Sequence, residues 1–311
     1  MKRVLVFAAV LIGVLSHSAL AGGWSVKDAN NRQVEISDIS RIVTIGGAVT
    51  EIVYALGFGD KVVAIDLTST YPPEVKQRPS VGYMRALSPE GVLSLAPTVV
   101  LAIEGSGPPD AIEVLTRASV PFALVPEGYT EEAVLKKIRF VAAALGVPAK
   151  GEELAKLVAE DFAALTALRA KITARRNAIF VLAVGNGTPT VAGEHTSAEG
   201  IFALGGVDNA IKGLHGYKPA TVEATLASQP QTVVTMLERG HGLGPEVLFA
   251  LPAFNGTPAA KDKRLVSVPS YYLSFGPRTA HAARDLAAAV YPELKLPQLP
   301  PRSWTGATTT Q

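Results

Sequence analysis

Apolar and polar positions along this chain fall into two alternating rhythms. Short β-branched runs at residues 41–45, 61–65, 98–102 and 122–125 are separated by stretches at 50–56, 88–96 and 109–118 with helical spacing. Strands alternating with helices of this length predict parallel α/β units. Local signals agree with the boundaries. Gly57 closes the first helix. Ser88-Pro89-Glu90 opens the second with a capping hydroxyl, a proline suited to the first helical position and an acidic first turn, and Pro97 lies just past its end. The second half repeats the plan, with a strand at 178–184 and a helix at 196–204 closed by Gly205-Gly206. The order of residues repeats too. Thr50-Glu51-Ile52-Val53-Tyr54-Ala55-Leu56-Gly57 matches Ser197-Ala198-Glu199-Gly200-Ile201-Phe202-Ala203-Leu204-Gly205, and the stretch from Gly82-Tyr83 to Val99-Val100 matches that from Gly216-Tyr217 to Val233-Val234. Two similar α/β halves follow from this duplication.

Between them, Leu154, Leu157, Val158, Phe162, Leu165 and Leu168 keep helical spacing, with no Gly or Pro after Gly151. Residues 149–175 are therefore expected to form one helix of about 25 residues, about 37 Å long. A continuous helix bends little without a breaker, so such a connector limits hinge motion. The expected domains are a leader at 1–21, a first lobe at 22–148, the connector at 149–175, a second lobe at 176–296 and a tail at 297–311. The tail is rich in Pro, Thr and Gly and reads as disordered or loosely packed.

The leader sets the compartment. Lys2 and Arg3 precede an apolar run over 4–15 and the small-x-small triplet Ala19-Leu20-Ala21. This is the pattern of a secretory signal peptide, too short to span a bilayer, and it puts the mature start at Gly22. The chain has no cysteine, which excludes disulfides, thiolate metal sites, cysteine nucleophiles and a lipid anchor at the cleavage point. A soluble protein of a bacterial periplasm is expected. A hydrophobic content of 48% supports a sizeable core, and a net charge of +2 without a basic tract gives no reason to expect nucleic acid.

The clearest candidate for chemistry is Tyr71. An apolar run ends in Leu67-Thr68-Ser69-Thr70, and Pro72 and Pro73 follow the tyrosine. Pro72 biases Tyr71 away from helix, which suits a phenol held at a loop tip. A phenol so placed can touch a ligand, and a phenolate can ligate haem iron; the same tripeptide also suits a tyrosine closing an ordinary turn. Enzyme signatures are absent: no Gly-x-Ser-x-Gly elbow and no His-Glu-x-x-His occur. Gly185-Asn186-Gly187 lacks the third glycine and acidic partner of a dinucleotide loop. Of five histidines one falls in the leader and the others are scattered, which argues against a direct zinc or manganese carrier. A binding protein rather than an enzyme is expected.

Two lobes, a leader and a stiff connector together resemble the periplasmic binding proteins of ABC importers for iron chelates, haem and vitamin B12, over about residues 40–292. Arg41-Ile42-Val43-Thr44-Ile45-Gly46 running into Thr50-Glu51 is similar to the first strand and helix of that superfamily. Four stretches resemble its haem-binding branch: Ser69-Thr70-Tyr71-Pro72, the stretch from Gly82-Tyr83-Met84-Arg85 to Gly91, Gly187-Thr188-Pro189 with Val191-Ala192-Gly193, and Ser274-Phe275-Gly276-Pro277-Arg278-Thr279. The fold implied is the class III arrangement, two α/β lobes with central parallel-type sheets joined by one long helix. The function implied is capture of haem (hemin) between the lobes, with Tyr71 as axial iron ligand, and delivery to an inner-membrane ABC permease and its ATPase. The resemblance also implies an outer-membrane haem receptor system upstream.

A cation beside the phenol would lower its pKa, and Arg85, in preference to Arg78, is the expected source. Tyr217 and the pair Tyr271-Tyr272 are expected to cover the porphyrin from the second lobe. Lys218, Arg278 and the hydroxyls of residues 68–70 are expected near the propionates. His195 and His215 are the nearest candidates for ligating a second haem, but each reads first as an exposed loop histidine. Glu90 and Glu223 hold equivalent places in the two halves and are expected to dock on the permease. Tyr71-Pro72-Pro73 also occurs in the vitamin B12-binding branch, where the tyrosine packs on its ligand, so a B12 or ferric-siderophore protein is the alternative.

Overall fold

The computed structural model describes residues 23–237 and 244–306. The expected leader, with its cleavage point, lies outside the described residues. Among the described residues no helix is long and apolar enough to cross a membrane.

The chain opens with an antiparallel hairpin of β1 (Trp24–Lys27) and β2 (Gln33–Ile36). Its strands alternate buried and exposed positions, as a one-sided sheet requires. Trp24 Nε1 donates to the carbonyl of Ala144 at 3.2 Å and pins the hairpin to the lobe behind it.

The first lobe is built from β3 (Ile42–Ile45), α1 (Gly47–Ala55), β4 (Val62–Ile65), α2 (Pro89–Leu93), β5 (Val99–Ile103), α3 (Pro109–Arg117), β6 (Phe122–Val125) and α4 (Glu131–Ala144). The sheet order is β4-β3-β5-β6 and every pair is parallel. All residues of β3, β5 and β6 are buried. Helices cover both faces of such a sheet, which is why these strands read as unbroken apolar runs.

The connector is α5 (Pro148–Arg169), 22 residues and so about 33 Å long. It ends six residues short of the expected 149–175. The amides of Ala170, Lys171 and Ile172 bond back to Thr166, Leu168 and Arg169 carbonyls as the chain turns. Arg175 then leaves the helical path to pair with Asp208 at 2.8 Å.

The second lobe runs through β7 (Asn177–Gly185), β8 (Thr188–Ala192), α6 (Ser197–Leu204), β9 (Asp208–Asn209), β10 (Tyr217–Pro219), α7 (Val222–Ala227), β11 (Thr232–Met236), α8 (Pro245–Ala250), α9 (Pro258–Lys261), β12 (Leu265–Val268) and α10 (Thr279–Val290). Its sheet is β10-β8-β7-β11-β12, with β9 also on β7. The expected parallel pairing holds for β7, β11, β12 and β9. It changes to antiparallel at β8 and β10. Asn186 and Gly187, with φ of 49° and 76°, make the two-residue turn from β7 into β8. An Asn-Gly pair is the preferred chemistry for a hairpin turn, and that is the role of the Gly185-Asn186-Gly187 stretch.

The duplication survives as geometry. Ser88 Oγ caps α2 by accepting the Gly91 amide, and Thr221 Oγ1 caps α7 by accepting the Ala224 amide. Ala96 and Gln229 then adopt left-handed φ of 45° and 43°, each before a proline that leads into a strand.

The tail departs from expectation over residues 297–306, where it is packed. Leu299 is buried, Trp304 rests on the main core, and the Arg302 guanidinium lies 2.8 Å from Asp161 and 3.1 Å from Glu160 on α5. Pro- and Thr-rich composition concealed two apolar anchors and an arginine whose partner is a buried carboxylate. Residues 307–311 lie outside the described residues.

Candidate functional site

The Tyr71 loop is fastened from below by one buried carboxylate. Asp66, at the end of β4, accepts the Gly46 amide at 2.9 Å through Oδ1 and the Thr68 amide and hydroxyl through Oδ2. Ser69 Oγ donates to Asp66 Oδ1 and also lies 2.6 Å from Thr50 Oγ1 on α1. The Gly47 amide donates to Thr68 Oγ1 at 3.1 Å. The hydroxyls of Thr68 and Ser69 are therefore committed to holding the loop on α1. They are not the propionate donors expected of them. At the loop's far end Tyr71 is half-buried, and its peptide bond to Pro72 is cis.

The cation over the phenol ring is Arg278. Its Cζ stands 3.6 Å from the Tyr71 ring centroid and 3.8 Å from that of Tyr271, so the guanidinium is sandwiched between two phenols. Its Nε and Nη2 donate to the two carboxylate oxygens of Glu51 at 3.0 and 2.6 Å. Such a bidentate fork fixes the guanidinium plane. Burial pushes the Glu51 carboxyl above its usual range, and Arg278 opposes it. Burial also raises the Tyr71 phenol, and the positive charge of Arg278 is the largest influence in the other direction.

This corrects two sequence expectations. Arg85 does not supply the charge beside Tyr71: its Nη1 donates to Tyr83 Oη at 2.7 Å. Arg78 is turned toward the Gly59 carbonyl, 3.1 Å away. Arg278, expected near propionates, is spent on Glu51 and the two phenols.

A second group gathers around Arg85, which is exposed and whose charge acts on both Tyr129 and Tyr217. Tyr217, on β10, sets its phenol 2.9 Å from Ser197 Oγ and accepts the Ala198 amide at the start of α6. Tyr129 packs edge-on against Phe275, ring centroids 5.2 Å apart, and burial pushes its phenol up to about 12. Lys218 beside Tyr217 is exposed. Tyr272 is buried, 7% exposed, with its ring against Tyr271, so Tyr271 rather than Tyr272 reaches the site. His195 and His215 are exposed. Glu90 and Glu223 are exposed in the first turns of α2 and α7, with Ser88 Oγ donating to Glu90 at 2.9 Å.

Sequence reasoning missed Glu51 and Tyr129. Glu51 did leave a trace, because a carboxylate within the apolar run from Gly46 to Leu56 must find a partner when buried. Tyr129 left none, since its neighbours Gly200 and Phe275 come from the other half of the chain.

Two α/β lobes with aromatic and cationic side chains where they meet define a two-lobed ligand-binding protein. The chain belongs to the periplasmic binding protein family, whose sequence model it matches over residues 42–272. Among solved structures, the periplasmic haem-binding protein RhuT from Roseiflexus sp. RS-1, in its apo form, is similar with a TM-score of 0.77 and 38% identity, covering 83% of this chain and all of that one. Among sequences, an uncharacterised ABC transporter substrate-binding lipoprotein, YvrC, of Bacillus subtilis is 29% identical over 86% of each chain. A vitamin B12-binding protein of Vibrio parahaemolyticus is 27% identical over 78% of this chain and 86% of its own.

Proposed function

We propose that this protein is a periplasmic haem-binding component of an ABC importer, with Tyr71 as axial ligand to ferric iron. The observation that carries the reading is the phenol of Tyr71 at a loop end with Arg278 3.6 Å over its ring. An anionic oxygen donor suits Fe(III), and a fixed guanidinium stabilises the phenolate that iron binding creates. Arg85, Tyr217, Tyr271 and Tyr129 offer aromatic area and positive charge to a flat, apolar dianion. Similarity at 38% identity to a haem-binding protein supports the choice of ligand. Glu90 and Glu223 then dock on the permease, one from each lobe.

The test is titration of the processed protein with hemin. A high-spin ferric tyrosinate spectrum is expected, and Tyr71→Phe removes it. Vitamin B12 is the second reading, favoured by the relative from Vibrio parahaemolyticus. Cobalamin binding without a hemin spectrum would decide for it.

A further inference from the structure

We propose that Glu194, His195 and His215 form a site for one divalent transition-metal ion of the zinc class on the second lobe, separate from Tyr71. Their ligating atoms all lie within 4.8 Å of one another. The two imidazole rings are nearly parallel, 10° apart, with centroids 5.3 Å from each other. Glu194 Oε2 stands 3.6 Å from His215 Nδ1. An ion with bonds near ~2.1 Å needs its nitrogen and oxygen donors about 3.3 Å apart. The rings are exposed, so small rotations about their own torsions close the difference.

The backbone brings the three together before any ion arrives. The Glu194 amide donates to the Leu214 carbonyl at 2.6 Å, and the Gly216 amide donates to the Glu194 carbonyl at 2.9 Å. Gly193 makes this approach possible: a Cβ there would lie 1.8 Å from the Leu214 oxygen. His195 holds a left-handed φ of 60°, a conformation unusual for a residue with a side chain. Its amide donates to Glu199 Oε2 at 2.7 Å. Glu194 Oε1 accepts the Gly213 amide at 3.0 Å, which aims Oε2 at His215. These contacts orient the ligands from behind, as supporting hydrogen bonds do in metal sites.

Two imidazoles and one carboxylate suit Zn(II), Cu(II) or Ni(II); Ca(II) and Mg(II) prefer all-oxygen sets. Three protein ligands leave a fourth position for water. Besides the Gly213 amide and the two imidazoles, the charge of Lys212 also acts on Glu194, and the Glu199 carboxylate faces the group through the His195 amide.

Calorimetric titration of the processed protein with Zn(II), hemin absent, should show one site. His195→Ala or His215→Ala should weaken it about tenfold or more, and the double variant should lose it, with circular dichroism unchanged. Loaded with Cu(II) instead, the wild type should show electron-paramagnetic splitting from two imidazole nitrogens. Tyr71→Phe should bind Zn(II) as the wild type does. The proposal is overturned if the wild type takes up no Zn(II), if the double variant binds it equally well, or if Tyr71→Phe abolishes binding.

Discussion

Arg278 is the residue on which the Tyr71 site turns, because it answers two charges at once. Glu51 is buried and would be left as an uncompensated carboxylate without it. Arg278→Met should therefore destabilise the fold by about 3 kcal/mol, measured by urea unfolding. Glu51→Gln combined with Arg278→Met should recover most of that loss. Hemin affinity should fall in both variants, because neither retains the cation over Tyr71. The pH dependence has a definite sign. The free phenol titrates above its ordinary value, so it is protonated throughout the neutral range. Iron takes the phenolate, so binding expels one proton and affinity rises with pH, up to about tenfold per unit, until the phenol's own pKa is reached. Arg278 lowers that pKa. Its loss moves the limit upward and weakens binding at every pH below it, as Soret titrations at pH 6, 7 and 8 would register.

At the scale of elements, the chain declared most of its helices and strands because burial on one stripe leaves a periodic trace and burial on both faces an unbroken apolar run. β3, β5 and β6 are wholly buried and read as apolar runs. Ser88 and Thr221 cap their helices through contacts a few residues away, so the pattern reports them. The place of Tyr71 at a loop end was legible for the same reason, since a strand end and two prolines are local. Its cation was not, because Arg278 lies over 200 residues away and reaches the phenol only through the fold. The packed tail was hidden likewise: Arg302 finds Asp161 across 141 residues. Asp161 is buried, and Arg302→Ala should cost about 3 kcal/mol, seen as a Tm lower by several degrees. The paired helix starts carry a prediction of their own. Glu90→Lys with Glu223→Lys should abolish hemin uptake in cells and leave hemin affinity in solution unchanged, since both carboxylates are exposed.

The whole molecule is held across its lobes by more than the connector. Glu51 on α1 meets Arg278, Lys137 on α4 reaches the Phe275 carbonyl at 3.4 Å, and Tyr129 packs against Phe275 and Gly200. All three links converge on the segment between β12 and α10 and on the start of α6. With α5 continuous between the lobes, large hinge closure has no element to absorb it. Small-angle scattering of the free and hemin-loaded protein should therefore give radii of gyration within about 1 Å of each other. Gly200 tests the same contact from inside. A Cβ at that position would lie 2.5 Å from Tyr129 Cβ and 2.7 Å from its carbonyl oxygen, neither of which is the end of a flexible chain. Gly200→Val should thus force the lobes apart, cost about 1–3 kcal/mol and weaken hemin binding, although the atoms nearest that Cβ belong to Tyr129 and Phe275. Wild-type affinity in that variant would mean that the seam between the lobes plays no part in shaping the site.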